Sequence, residues 1–166
     1  MRNLFLLFIF STSLFLFSCD NNEVFPEENP TDDNVENEGG SDESSINAEI
    51  LNLVNLHRSS IGKPPLEANE VLFEEAKKHT EYMISIDDIN HDGFDERADR
   101  IREAVNGSSV AENVAYGYPT AEDVVNGWLN SPGHRKNIEG DYTLSGISAL
   151  RNKNGVYFYT HIFLKQ

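Results

Sequence analysis

The sequence predicts an α+β domain in which helices pack on a largely antiparallel sheet. Three observations carry this. Segments with apolar residues at helical spacing come first, two runs of strand character close the chain, and an Asn-Gly pair separates those runs. Helices grouped ahead of strands point to an α+β arrangement. Cys19 is the only cysteine, so no intramolecular disulfide supports the fold. Residues 44–166 are enough chain to bury a modest core without one.

The elements follow in order. Ser44 or Ser45 caps a first helix through Arg58, with Ile46, Ile50, Leu53, Val54 and His57 along one face. Gly62-Lys63-Pro64-Pro65 breaks it. A second helix follows Asn69, where Leu72, Phe73, Ala76, His79, Thr80 and Met83 repeat at helical spacing. Residues 87–93 read as a loop and residues 95–105 as a short third helix. Residues 106–119 hold Gly107, Gly117, Pro119 and two serines, and read as loop. Thr120 opens a fourth helix, with Asp123 completing a pair like a capping box and Val124, Val125, Trp128 and Leu129 facing inward. Ser131-Pro132 starts a further turn, since proline suits the first helical position. Residues 144–150 and 156–164 are the strands of a hairpin turning at Asn152-Lys153-Asn154-Gly155.

The N-terminal part lies outside this domain. Residues 1–18 show a short positive start, an apolar run and a terminal serine, the layout of an export signal. The run is too short to span a bilayer, which takes about 20 apolar residues. Leu16-Phe17-Ser18-Cys19 resembles a bacterial lipobox, although Phe17 is bulkier than such signals usually carry. The resemblance implies that Cys19 is lipidated and becomes the mature N-terminus at a membrane. An ordinary signal with a chance cysteine is the plainer alternative. Residues 20–43 carry ten acidic side chains and no basic one, within a formal charge of −15 for the whole chain. So polar a stretch has too little apolar surface to offset its ordering entropy, and residues 19–43 read as a disordered acidic tether. Acidic residues directly after the cysteine also resemble the surface-export signals of Bacteroidetes lipoproteins. No part of the chain has the basic footprint that nucleic acid requires.

Five histidines are candidates for chemistry. His57, near a helix C-terminus, complements the helix dipole. His79 lies in an apolar stripe and reads as a core histidine. His161 sits in the last strand and reads as sheet packing. His91 and His134 differ, because both lie beside turn residues, where function concentrates. Between them comes Glu112. Two histidines and a carboxylate suit zinc with an open position, but the spacing matches no local metal motif.

The strings around these residues carry a resemblance. Ala111-Glu112-Asn113-Val114-Ala115-Tyr116-Gly117 and Trp128-Leu129-Asn130-Ser131-Pro132-Gly133-His134-Arg135-Lys136-Asn137-Ile138 resemble the two signature segments of the CAP family. That family comprises cysteine-rich secretory, antigen 5 and pathogenesis-related proteins, and the likeness is to its cysteine-free bacterial branch. Asn55 and Arg58, Ala76 to His79, Asn90-His91, the Arg97/Arg100 region, Gly146-Ile147 and residues 157–163 agree in order. The resemblance spans most of residues 46–163. It implies a three-layer α-β-α sandwich with an open cleft lined by two histidines and two acids. His91 and His134 match the histidines, and Glu112 matches the first acid. Ser131 stands where many members carry the second acid, so the set is incomplete. Asn113, next to Glu112, joins the candidate cleft residues.

The resemblance implies zinc or another divalent cation on His91 and His134 as the candidate cofactor. It implies an extracellular ligand of lipid, glycan, peptide or protein class. The expected function is therefore an exported, lipid-anchored binding or interaction module. The alternative is a metal-assisted hydrolase, peptidase-like, in which Glu112 is a ligand or the general base. A purely structural surface protein is the third reading.

Overall fold

The computed structural model describes residues 38–166, with side chains from residue 43 onward. The expected signal, Cys19 and the tether through residue 37 lie outside the described residues. The elements are α1 (Glu38–Ser60), β1 (Glu67–Ala68), α2 (Glu70–Ile86), α3 (Phe94–Val105), β2 (Ser109–Tyr116), α4 (Ala121–Asn130), α5 (Pro132–Ile138), β3 (Leu144–Arg151) and β4 (Tyr157–Lys165).

The sheet order is β1-β3-β4-β2. β2 and β3 both pair antiparallel with β4, and β1 adds a short parallel contact to β3. Alternation along the strands feeds two cores. Tyr157, Tyr159 and Phe163 of β4 pack with Ile50, Val54, Val124 and Trp128, so α1 and α4 cover one face. Ile162 and Leu164 pack with Leu72, Ala76 and Ile101, and Phe158 packs with Val114 and Met83, so α2 and α3 cover the other. The result is the α-β-α sandwich with a largely antiparallel sheet. α2 lies tight against the sheet at Gly146, where an added Cβ would lie 2.2 Å from the Leu72 carbonyl carbon. Only glycine lets the two backbones approach so nearly.

Local chemistry explains the ends of the elements. The Asn69 side chain accepts a hydrogen bond from Leu72 N at the start of α2. Thr120 Oγ1 accepts from Asp123 N (3.1 Å) and donates to Asp123 Oδ2 (2.8 Å), as the capping pair predicts. The closing hairpin turns where Gly155 adopts φ +77° and Asn152 Oδ1 accepts from Asn154 N and Val156 N.

Three expectations need correction. Residues 106–119 are not a loop, because Ser109–Tyr116 forms β2 along its whole length against β4. Ala111, Glu112, Asn113 and Ala115 are weak strand formers, so local propensity hid the strand, and pairing with the aromatic-rich β4 overrides it. The first helix starts at Glu38, upstream of Ser44. Residues 38–43 of the expected tether are therefore its opening turns, since extending a helix is cheap once it is nucleated. Finally, β1 has no counterpart in the sequence reading, because a strand of two residues leaves no period to detect.

Candidate functional site

The site is built around β2, which lies at the edge of the sheet. Successive residues of a strand face opposite sides. Glu112 therefore faces the α2–α3 layer, and Asn113 faces the α4–α5 layer. Glu112 meets the His91 ring, and Asn113 meets the His134 backbone.

On the first side, the Glu112 side chain is 1% exposed. Arg97 of α3 grips it with both forks: Nε donates to Oε2 (2.8 Å) and Nη2 to Oε1 (2.9 Å). A planar guanidinium matches a carboxylate in this two-point manner, and the pairing offsets the cost of burying both charges. His91 Nδ1 lies 2.8 Å from Glu112 Oε1, while half of the His91 side chain, 51%, stays exposed. His79 Nε2 lies 3.7 Å from the same oxygen and donates to the Asn90 carbonyl at 2.9 Å. Burial pushes the His79 pKa below the ordinary histidine value, and the Glu112 charge opposes that shift. Arg97 Nη1 reaches the Asp92 carbonyl (3.2 Å), and Tyr82 Oη donates to Asp92 Oδ2 (2.9 Å).

On the second side, Asn113 Nδ2 donates to the His134 carbonyl (3.1 Å). Asn137 Nδ2 donates to Asn113 Oδ1 (2.9 Å) and to the Glu112 carbonyl (3.2 Å). These bonds fasten α5 to the sheet edge and satisfy polar groups of β2 that no further strand would pair. Burial lowers the His134 pKa first, and the charge of His91 lowers it further.

The sequence-derived candidates fall into place unevenly. His91 and Glu112 are in direct contact. His134 and Asn113 join through the backbone of α5. Ser131 is half-buried at the junction of α4 and α5, and its hydroxyl makes no capping bond. Cys19 lies outside the described residues. His57 pairs with Glu139 at 2.9 Å, away from the cleft. His161 is fully buried against Ser145 Oγ (2.8 Å), and burial pulls its pKa down to about 3. Sequence reasoning missed Arg97 and Asn137 as site residues, and it read His79 as core only. His79 is buried as expected, yet it also holds the loop that bears His91. A buried Glu112 would have demanded a cation nearby, but its burial depended on recognising β2.

The donor set decides how a cation would fit. Among the described residues no group of three or more His, Cys, Asp and Glu side chains is placed to hold a metal ion. Both Glu112 oxygens already accept from Arg97. The donors left for a divalent ion are the two imidazoles, with Glu112 standing behind His91. Two imidazoles are fewer than the three protein ligands of a usual catalytic zinc site, so an ion held by them would take its remaining ligands from solvent or from what it binds.

Known proteins with related sequences and folds bear on this geometry. The family profile of the cysteine-rich secretory protein family (CAP) matches residues 51–163. The uncharacterized membrane protein YlbC of Bacillus subtilis is 34% identical over 122 residues, covering 71% of this chain and 34% of its own length. The uncharacterized protein YkwD of the same organism is 30% identical over 113 residues, covering 66% and 44%. The chain thus spans less than half the length of either curated relative. An extracellular protein containing an SCP domain from Bacillus anthracis superposes with a TM-score of 0.68 at 26% identity, covering 84% of this chain and 45% of that one. An outer surface protein of Borrelia burgdorferi superposes at 0.62 with 23% identity, covering 74% and 91%, which speaks for the fold alone. Among the described residues, no helix is long and apolar enough to cross a membrane. With the profile spanning most of the domain and the sandwich shared with these structures, the chain belongs to the CAP family of cysteine-rich secretory proteins.

Proposed function

We propose that this protein is an extracytoplasmic binding module, anchored by lipid on Cys19, whose cleft takes a divalent cation, zinc first, on His91 and His134. The observation that supports the reading is that adjacent residues of β2 bond the two histidine segments, Glu112 the ring of His91 and Asn113 the backbone carbonyl of His134. Two neutral imidazoles favour a soft-to-borderline divalent ion. The extracellular SCP-domain protein among the structural relatives supports the location. The lipobox-like Leu16-Phe17-Ser18-Cys19 supports the anchor.

Binding is favoured over hydrolysis by the state of Glu112. A general base needs a free lone pair within reach of a water, whereas this carboxylate is 1% exposed and already accepts from Arg97 and His91. The metal-assisted hydrolase is therefore the second reading. Bound metal would supply Lewis acidity and lower the pKa of a coordinated water.

Calorimetric zinc titration at pH 7.5 and pH 5.5 tests the cleft. Binding at pH 7.5 should weaken at pH 5.5, because protons compete with the metal for imidazole nitrogens. It should vanish in the His91→Ala/His134→Ala variant. Absence of heat at both pH values would reject the metal. Turnover on a hydrolase panel that chelator abolishes would favour the second reading. Fatty-acid labelling that is equal in wild type and Cys19→Ser would reject the anchor.

A further inference from the structure

We infer that Arg97 and His79 are positioning residues that hold His91 in one tautomer, with the proton on Nδ1 and the Nε2 lone pair turned to the cleft. The inference rests on the metal-binding reading above for its purpose, but on local geometry for its substance. The short segment Asn90-His91-Asp92 is held at each residue by a buried group. His79 Nε2–H donates to the Asn90 carbonyl, and a carbonyl can only accept, so that proton sits on Nε2. Arg97 Nη1 donates to the Asp92 carbonyl. Between them, the His91 ring meets Glu112 Oε1 at 2.8 Å.

The proton on His91 follows from Arg97. A carboxylate whose two oxygens both accept from a guanidinium is acceptor-only. Its neighbour at hydrogen-bond distance must then be the donor, which places the hydrogen on His91 Nδ1. The other ring nitrogen of a neutral imidazole is left unprotonated. Half of this side chain is exposed, so that lone pair is open to a ligand. One guanidinium thus sets the orientation of Glu112, the path of the loop and the tautomer of His91. A metal-bound histidine is commonly oriented by a carboxylate on its other nitrogen. Here the carboxylate is itself held by a third residue.

Nitrogen-15 NMR of the full-length protein at pH 8 reads the tautomer directly, without metal. His91 should carry its proton on Nδ1 in the wild type. Arg97→Lys keeps the cation but loses the fork that aims Glu112 Oε1 at His91 Nδ1, and with that acceptor turned away His91 should shift toward the Nε2–H form. Zinc affinity should fall about 10–100-fold, the usual cost of disturbing a partner of a metal ligand. A wild-type His91 in the Nε2–H form would overturn the inference. So would an Arg97→Lys variant with tautomer and zinc affinity both unchanged. If that variant does not fold, the wild-type tautomer decides. A tautomer shift in a protein that takes up no zinc would leave the positioning role standing and reject the metal. Zinc binding with an unshifted tautomer would do the reverse.

Discussion

The two candidate histidines are held in opposite ways. His91 is fastened through its ring, to a carboxylate that Arg97 anchors inside the α2–α3 layer. His134 is fastened through its backbone, by Asn113 and Asn137, and its ring makes no hydrogen bond among the described residues. Both attachments meet at neighbouring residues of one strand, Glu112 and Asn113. The contrast teaches that one side of β2 is built from buried charge and the other from amide hydrogen bonds. Ionic attachments in low dielectric are strong and fail badly when half is removed, whereas a neutral hydrogen bond contributes modestly. The His91 side should therefore be stiff and vulnerable to single substitutions, and the His134 side more tolerant.

The largest effects should come from removing the main supports of each layer. Arg97→Ala leaves the Glu112 carboxylate buried without its partner and should cost about 3–5 kcal/mol in urea unfolding. Its counterpart is Trp128→Ala. Trp128 is 1% exposed and bonds Val114 O through Nε1 (3.2 Å), so truncation should also cost about 3–5 kcal/mol. A loss under about 1 kcal/mol at Arg97 would mean that water relaxes the pair and the comparison fails.

Acid should attack the α1–α4 layer through His161. Its folded pKa of about 3 lies below the unfolded value of about 6.5. The folded state therefore keeps His161 neutral while the unfolded chain takes up a proton. Stability is unaffected above pH 6.5, falls by about 1.4 kcal/mol per pH unit below it, and levels off near pH 3. His79, lowered in the same direction, adds to the slope. Urea unfolding at pH 7 and pH 4.5 should show a smaller loss in His161→Phe than in wild type. Equal losses would mean that His161 charges without disturbing the core.

A smaller effect is expected at Asn113→Ala, about 1–2 kcal/mol for the lost bonds to His134 and Asn137. In NMR spectra the His134 ring should shift and the His91 ring should not. A shift in both would show that the two sides of β2 are one unit.

The smallest change in stability belongs to Ser131→Asp, which restores an acid at the start of α5. Aspartate matches serine as a helix N-cap, so stability should stay within about 0.5 kcal/mol. Zinc affinity should rise about tenfold, or about 1.4 kcal/mol. Unchanged affinity would place position 131 outside the cleft and leave the His134 side without a site for a carboxylate.

Sequence by itself determined the parts of this protein whose signals are local. Helical spacing in α2 and α4, the caps at Asn69 and Thr120, and the Asn-Gly hairpin are set by neighbouring residues, and each is present in the structure. The two signature strings identified the family and singled out Glu112 and His134, and Asn90-His91 agreed in order with them. The tertiary structure alone decided what those residues touch. β2 is a strand because β4 pairs with it, and that pairing sends Glu112 and Asn113 to opposite layers. Arg97 lies 15 residues before Glu112 and His79 bonds Asn90 from 11 residues away, spacings with no local meaning. The grip on His91 arises from packing α2 and α3 onto one face of the sheet, and long-range packing leaves no period in the chain for sequence reasoning to find.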